Sequence, residues 1–192
     1  MGLLRLTDKR PDADIDEAVQ ATIAHAKNLW APLQFEGEFP VNGFGISNIR
    51  PIHVQSTTLE IPAISNRCVW ATCQVVSSTF TDWINVTVDE DSYLIITGIF
   101  SLEATGAVTE IAATANGVDL PPINIEELYG WDLASAYFTK PFVVKPKSQL
   151  KIQLYGSTAS VYGAALNQAT KIKIGLLGYC VGKRAYLIKR TL

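Results

Sequence analysis

Two histidines and three cysteines are the side chains of this sequence best suited to nucleophilic, acid–base or metal chemistry. Their spacing organises none of it. His25 falls within a helical pattern and His53 within a Pro-rich stretch, and neither has a Ser, Cys or carboxylate at a motif distance. Both read as packing or surface residues. Cys68 and Cys73 stand five positions apart, the wrong spacing for a metal knuckle, and Cys180 is remote from both. An odd number of cysteines with no secretory leader predicts reduced thiols that pack as small hydrophobes. There is no Gly-x-Ser-x-Gly elbow, no Gly-x-x-x-x-Gly-Lys-Ser/Thr loop, and no Gly-x-Gly-x-x-Gly after a strand. Gly43-Phe44-Gly45 sits in no βαβ unit. The expectation is a protein that is not an enzyme, with no catalytic residue, no metal ligand and no cofactor.

Three further groups invite a chemical reading. Asp89-Glu90-Asp91 supplies oxygen ligands of the kind Ca²⁺ takes. Successive residues of a turn point different ways, however, and no Asp-x-Asp-x-Asp-Gly pattern follows, so a solvated hairpin tip is expected. Glu126-Glu127 is a weaker pair still. The aromatics Tyr129, Trp131 and Tyr137 lie in one long connection and form a candidate ligand platform for a carbohydrate, or else a plug closing one end of the domain. Exposure of Tyr129 and Trp131 decides between these. Nine Lys and Arg between Lys145 and Arg190, with Tyr155, Tyr162, Tyr179 and Tyr186 among them, suit phosphates and bases. The pI of about 5.7 opposes this, and Lys at every second strand position is also what a solvated sheet face looks like, so nucleic acid is not the expected partner.

Charge is the most uneven property of the chain. Residues 51–132 carry eleven Asp or Glu against Arg67 alone, and residues 133–192 carry ten Lys or Arg and no acid. Either the two halves interleave within one domain, or each copy shows an acidic and a basic surface to another copy. No apolar run approaches the ~20 residues of a membrane span, so no membrane partner is expected.

The elements that must position these residues follow from periodicity. Ile15, Val19, Ile23, Ala26 and Trp30 recur at helical steps and predict one helix over 14–30, with acids at its start and Pro32 after it. Four prolines and three glycines over 31–66 predict an extended arm, with short strands near Ile52–Val54 and Thr58–Ile61. From Cys68 onward the period is two. Strands are predicted over 83–88, 92–100 (apolar on both faces in its middle), 108–115, 118–123, 142–144, 150–155 and 171–180. Asn116-Gly117 forms a hairpin turn and 186–188 a last edge strand. The fold class is all-β: an antiparallel β-sandwich with jelly-roll connectivity, one N-terminal α-helix and an extended arm. In that topology Lys151, Lys171 and Lys173 can pair with Glu103, Glu110 or Asp89. Residues 1–66 form the helix and arm, and 67–192 the β domain. A monomer has difficulty covering Ile15, Val19, Ile23, Trp30, Phe35, Phe39 and Phe44 together, so these seven are expected to form an assembly interface.

The strand rhythm, and the Pro141–Ile152 stretch with its Pro-Lys-Ser turn before an alternating strand, resembles small jelly-roll virion proteins of tailed phages: minor capsid, cement or decoration, and head-fibre proteins. The resemblance covers about residues 67–192. It implies a structural virion protein made in the host cytoplasm. It also implies several copies, a trimer favoured, attached to a major capsid or other virion protein by the N-terminal segment. The rival is a carbohydrate- or receptor-binding β-sandwich module.

Overall fold

Asn116 and Gly117 both take positive φ, 54° and 75°, and close the hairpin between two strands, β6 (Val108–Ala115) and β7 (Val118–Asn124). The remaining elements are β1 (Leu6–Thr7), α1 (Asp12–Leu29), β2 (Phe44–Asn48), a 3₁₀ turn (Pro51–Val54), β3 (Thr72–Val75) and β4 (Phe80–Thr87), followed by β5 (Ser92–Ser101), β8 (Ser135–Val144), β9 (Gln149–Gly156), β10 (Thr170–Lys183) and α2 (Arg184–Lys189). The computed structural model describes residues 5–54, 70, 72–75, 78–101, 108–125, 135–156 and 170–189.

Every strand pairing is antiparallel, and the strands form two sheets. The larger runs β1-β8-β5-β10-β2, with β3 paired to the first residues of β10, and the smaller runs β4-β9-β6-β7. The N-terminal segment therefore contributes two strands, β1 and β2, to the larger sheet. Alternation puts Leu150, Ile152 and Leu154 of β9 inward with Trp83, Ile84 and Ile111, facing Leu94, Ile96, Phe138 and Leu176 of the larger sheet. Thr97 is an extra residue in β5 at a bulge against β10, so Ile99 faces the inter-sheet core as Leu94 and Ile96 do.

The outer face of the larger sheet is apolar as well. Tyr93, Ile95 and Val181 pack with Ile23, Ala26, Trp30 and Phe44 in a second core, under α1. Trp30 meets Phe44 and Tyr93 edge to face, with ring centroids 5.3 and 5.7 Å apart. The molecule thus has three layers: helix, larger sheet, smaller sheet.

Four expectations are corrected. The predicted strand at Ile52–Val54 is a 3₁₀ turn, because Pro51 presets φ and His53 closes it, its N–H donating to Arg50 C=O and its Nδ1 accepting from Arg50 N–H. Residues 135–140, predicted as connection, belong to β8. The predicted edge strand at 186–188 is helical, since the neighbours Tyr186 and Leu187 both turn inward, as alternation forbids. Lys151 pairs with Asp82, 3.2 Å away, not with Glu110 or Asp89, because β9 lies beside β4 and faces Asp82 across the ladder at Gln153, while Glu103 and the side chains of Lys171 and Lys173 lie outside the described residues. The strand expected at Thr58–Ile61 lies outside the described residues.

The charge asymmetry is used within the fold. Lys147–Glu90 at 2.8 Å, Lys151–Asp82 at 3.2 Å and Lys183–Asp91 at 2.7 Å each join the basic last third to the acidic middle. Of the two arrangements open to the sequence, the halves interleave.

Candidate binding surfaces

The seven residues expected at an assembly interface are placed differently from one another. Ile15, Ile23, Trp30 and Phe44 are buried within the chain itself. Val19 and Phe35 are half-buried at the margin of the second core. Of the seven, Ile23, Trp30 and Phe44 are covered by the outer face of the larger sheet, at roughly 1.5–3 kcal/mol per buried side chain. Phe39 alone of the seven stands free, 86% exposed.

Tyr137 of the aromatic platform sits half-buried in β8, opposite Thr7 and Gly98. It lines a cavity of about 350 Å³ with Arg10, Trp70, Phe100 and Tyr179. Tyr129 and Trp131 lie outside the described residues, as do Cys68, Glu126 and Glu127. His25 is exposed on α1, while His53 is buried and stacks on Tyr186 with centroids 5.8 Å apart. Cys180 is buried in the inter-sheet core. Among the described residues no group of three His, Cys, Asp or Glu is placed to hold a metal, and no helix is long and apolar enough to cross a membrane.

Asp89-Glu90-Asp91 forms the turn between β4 and β5. Asp91 N–H donates to Asp89 Oδ1, and Glu90 and Asp91 reach out to Lys147 and Lys183. Glu90 raises the exposed Lys147 above the ordinary lysine range by hydrogen bond and charge. These carboxylates diverge onto separate cations and do not converge on one point.

Two surfaces are candidates for a binding site. The first is the outer face of the smaller sheet. Phe80 and Tyr155 stand side by side there, centroids 5.1 Å apart, with Phe80 38% exposed. Beside them Asp82 accepts from Gln153 Nε2 at 2.7 Å, and Asn85 Oδ1 accepts from Gln149 Nε2 at 2.9 Å. Thr114 Oγ1 donates to Asp119 at 2.6 Å on the far strands. The cross-strand register sets Ala112 opposite Gln153, a low point among longer side chains.

The second surface is a cleft of about 640 Å³ between the first turns of α1, the Glu38-Phe39-Pro40 turn and β2. Its apolar lining includes Ile15, Val19, Ile46 and Leu187, and its polar lining Asp16, Glu38, Asn48 and Arg50. One wall is fixed by Arg10, whose Nη2 donates to Tyr179 Oη at 2.7 Å and whose Nε lies 3.0 Å from Asp12, fastening the start of α1 to β10. The other wall is fixed by Glu36, whose Oε2 accepts N–H from Val41 and Asn42. Those bonds, with lesser help from Gly43 and Arg184, hold its carboxyl below the ordinary glutamate range. Gly45 lets the arm cross β2 closely, since a Cβ there would lie 2.2 Å from Gly37 O. The Gly43-Phe44-Gly45 motif thus serves backbone approach. Sequence reasoning missed Asp16, Glu38, Asn48 and Arg50, because the cleft depends on β2 pairing with residues more than 130 positions later.

No family model matches the chain, and neither a curated protein nor a solved structure matches it.

Proposed function

We propose that this chain is a non-enzymatic structural protein of a virion, a jelly-roll subunit of the minor capsid or cement/decoration type. The strand order carries the reading. The larger sheet contains β2-β10-β5-β8 and the smaller is β4-β9-β6-β7, so the chain crosses between sheets after β3, β4, β5, β7, β8 and β9. That wiring supports a double Greek key, the jelly roll used by capsid proteins and lectins. On this reading copies assemble, as trimers or otherwise, through exposed apolar side chains of the N-terminal layer. Leu29, Phe39 and Val41 are 56%, 86% and 60% exposed. The buried stripe of α1 anchors that layer to the domain.

The test is co-purification. Mass spectrometry of nuclease-treated, gradient-purified particles from the source culture should find the chain in constant ratio to the other shell proteins. Particles that keep those proteins but lack this chain would sink the proposal. Native mass spectrometry of the isolated protein would then give its copy number.

The outer face of the smaller sheet favours a second reading, a carbohydrate-binding module. Planar amides and carboxylates beside an aromatic pair suit polyhydroxylated ligands, which need both hydrogen-bond partners and an apolar platform. A glycan array distinguishes it: binding abolished by Tyr155→Ala with the fold intact supports it, and an array without hits removes it.

A further inference from the structure

One gap in the hydrogen bonding of β2 opens into the cleft. Residues of an antiparallel strand alternate between facing their partner and facing away. Ile49 N–H donates to Gly178 C=O, so the odd positions of β2 bond to β10 and the even ones face outward. Phe44 is taken there at both groups, donating to Gln34 C=O and accepting from Glu36 N–H. Ile46 N–H donates to Gly37 C=O, and Arg50 N–H to His53 Nδ1. Between them Asn48 has no outward partner among the described residues. The arm leaves the edge just short of it, turned away at Gly37 with φ 78°. Asn48 lines the cleft.

The surroundings have a definite sign. Residues 10–50 carry six carboxylates, on Asp12, Asp14, Asp16, Glu17, Glu36 and Glu38, against three cations, Arg10, Lys27 and Arg50. Glu36 is engaged by backbone N–H groups and Asp12 by Arg10. Asp16 and Glu38 face the cleft. Arg50 is the single cation of the lining. Phe39 is exposed beside an apolar concavity. The outward main-chain groups of Asn48 supply hydrogen bonds, the cavity takes one side chain, and Asp16 and Glu38 select the neighbours of that side chain.

We propose that this cleft docks an extended segment of a partner protein. The segment adds to the edge of β2 at Asn48, buries an apolar side chain between α1 and β2, and sets Lys or Arg against Asp16 and Glu38. The cleft takes such a segment whether or not the chain belongs to a virion.

The experiment selects random hexapeptides, displayed on phage, against the full chain. Enriched peptides are then titrated by fluorescence anisotropy into wild type, Asp16→Lys/Glu38→Lys and Phe39→Ala. All three side chains are exposed, so the variants keep the fold, which their thermal melts verify. The expected peptides carry an aliphatic or aromatic residue flanked by Lys or Arg. Their affinity should fall about tenfold or more on charge reversal and severalfold on loss of Phe39. Bound peptide should also slow hydrogen exchange at the Asn48 amide. Four results would overturn the proposal: no enrichment, peptides without basic residues, affinity indifferent to the variants, or unchanged exchange at Asn48. Concentration-dependent protection of Asn48 without any peptide would instead assign the cleft to a second copy.

Discussion

Lys183 Nζ lies 2.7 Å from Asp91 Oδ1. The same ammonium stands 5.8 Å from the centre of the Trp30 ring, so one cation ties the turn before β5, the end of β10 and the end of α1 together. Both partners keep about a third of their side-chain surface in water, 33% and 34%, which limits what the pair contributes. Lys183→Met should lower stability by about 0.5–1 kcal/mol. A double-mutant cycle with Asp91→Asn, read by urea denaturation, should give a coupling energy that shrinks in high salt.

Ile23→Asp distinguishes a core helix from an interface helix. The side chain is 6% exposed and packs in the second core. A carboxylate there would lose its hydration in an apolar cluster, and the expected loss is about 3 kcal/mol or more. The urea midpoint should fall sharply. An unchanged midpoint with a smaller sedimenting mass would show that the helix serves contacts between copies.

Glu36 gives the arm a pH dependence. Its folded carboxyl titrates below the usual 4.5, held there by the Val41 and Asn42 amides. A folded value below the unfolded one means a contribution fully present above the unfolded value and lost as pH falls through the folded one. Glu36→Gln should therefore be less stable than wild type at pH 7. The difference should shrink as pH falls through the folded value and vanish below it, where both side chains are uncharged. Denaturant midpoints across pH 3–7 check this.

Gly45→Ala tests the close crossing of the arm. The added Cβ meets Gly37 O at 2.2 Å and Pro40 Cδ at 2.8 Å, and the backbone oxygen cannot step aside as a side chain could. A loss of about 2 kcal/mol is expected. Proteolysis should then cut first between residues 34 and 43. A melt equal to that of wild type would show that the arm is loosely held.

The sandwich was legible because burial on one face imposes a two-residue period, as in Leu150, Ile152 and Leu154. The hairpin at Asn116-Gly117 was legible because few residues tolerate positive φ. The third layer was also written in the sequence, though its signal was read only as a strand. A run such as Tyr93–Ile99, apolar on both faces, requires a cover on each side of its sheet, and α1 is that cover. The cleft was not legible. Asp16, Glu38 and Asn48 come together only through pairings of high sequence separation, and no local pattern encodes those. Tyr186 and Leu187 misled because three apolar residues are too few to separate a strand from one helical turn.

The pairing of Phe44–Asn48 with Tyr179–Lys183 sets a timetable for synthesis. While the ribosome is still making residues before 183, β2 lacks the neighbour that completes it. The surface on which α1 lies is also unfinished, because β10 supplies Val181 and Tyr179 to it. The amphipathic helix is therefore made well before β10 and is among the last elements to find its place. Such distant pairings slow folding to about milliseconds to seconds. In that interval the stripe of Ile15, Ile23 and Trp30 is open to whatever the nascent chain meets, and a translation product stopped before β10 would carry it permanently uncovered.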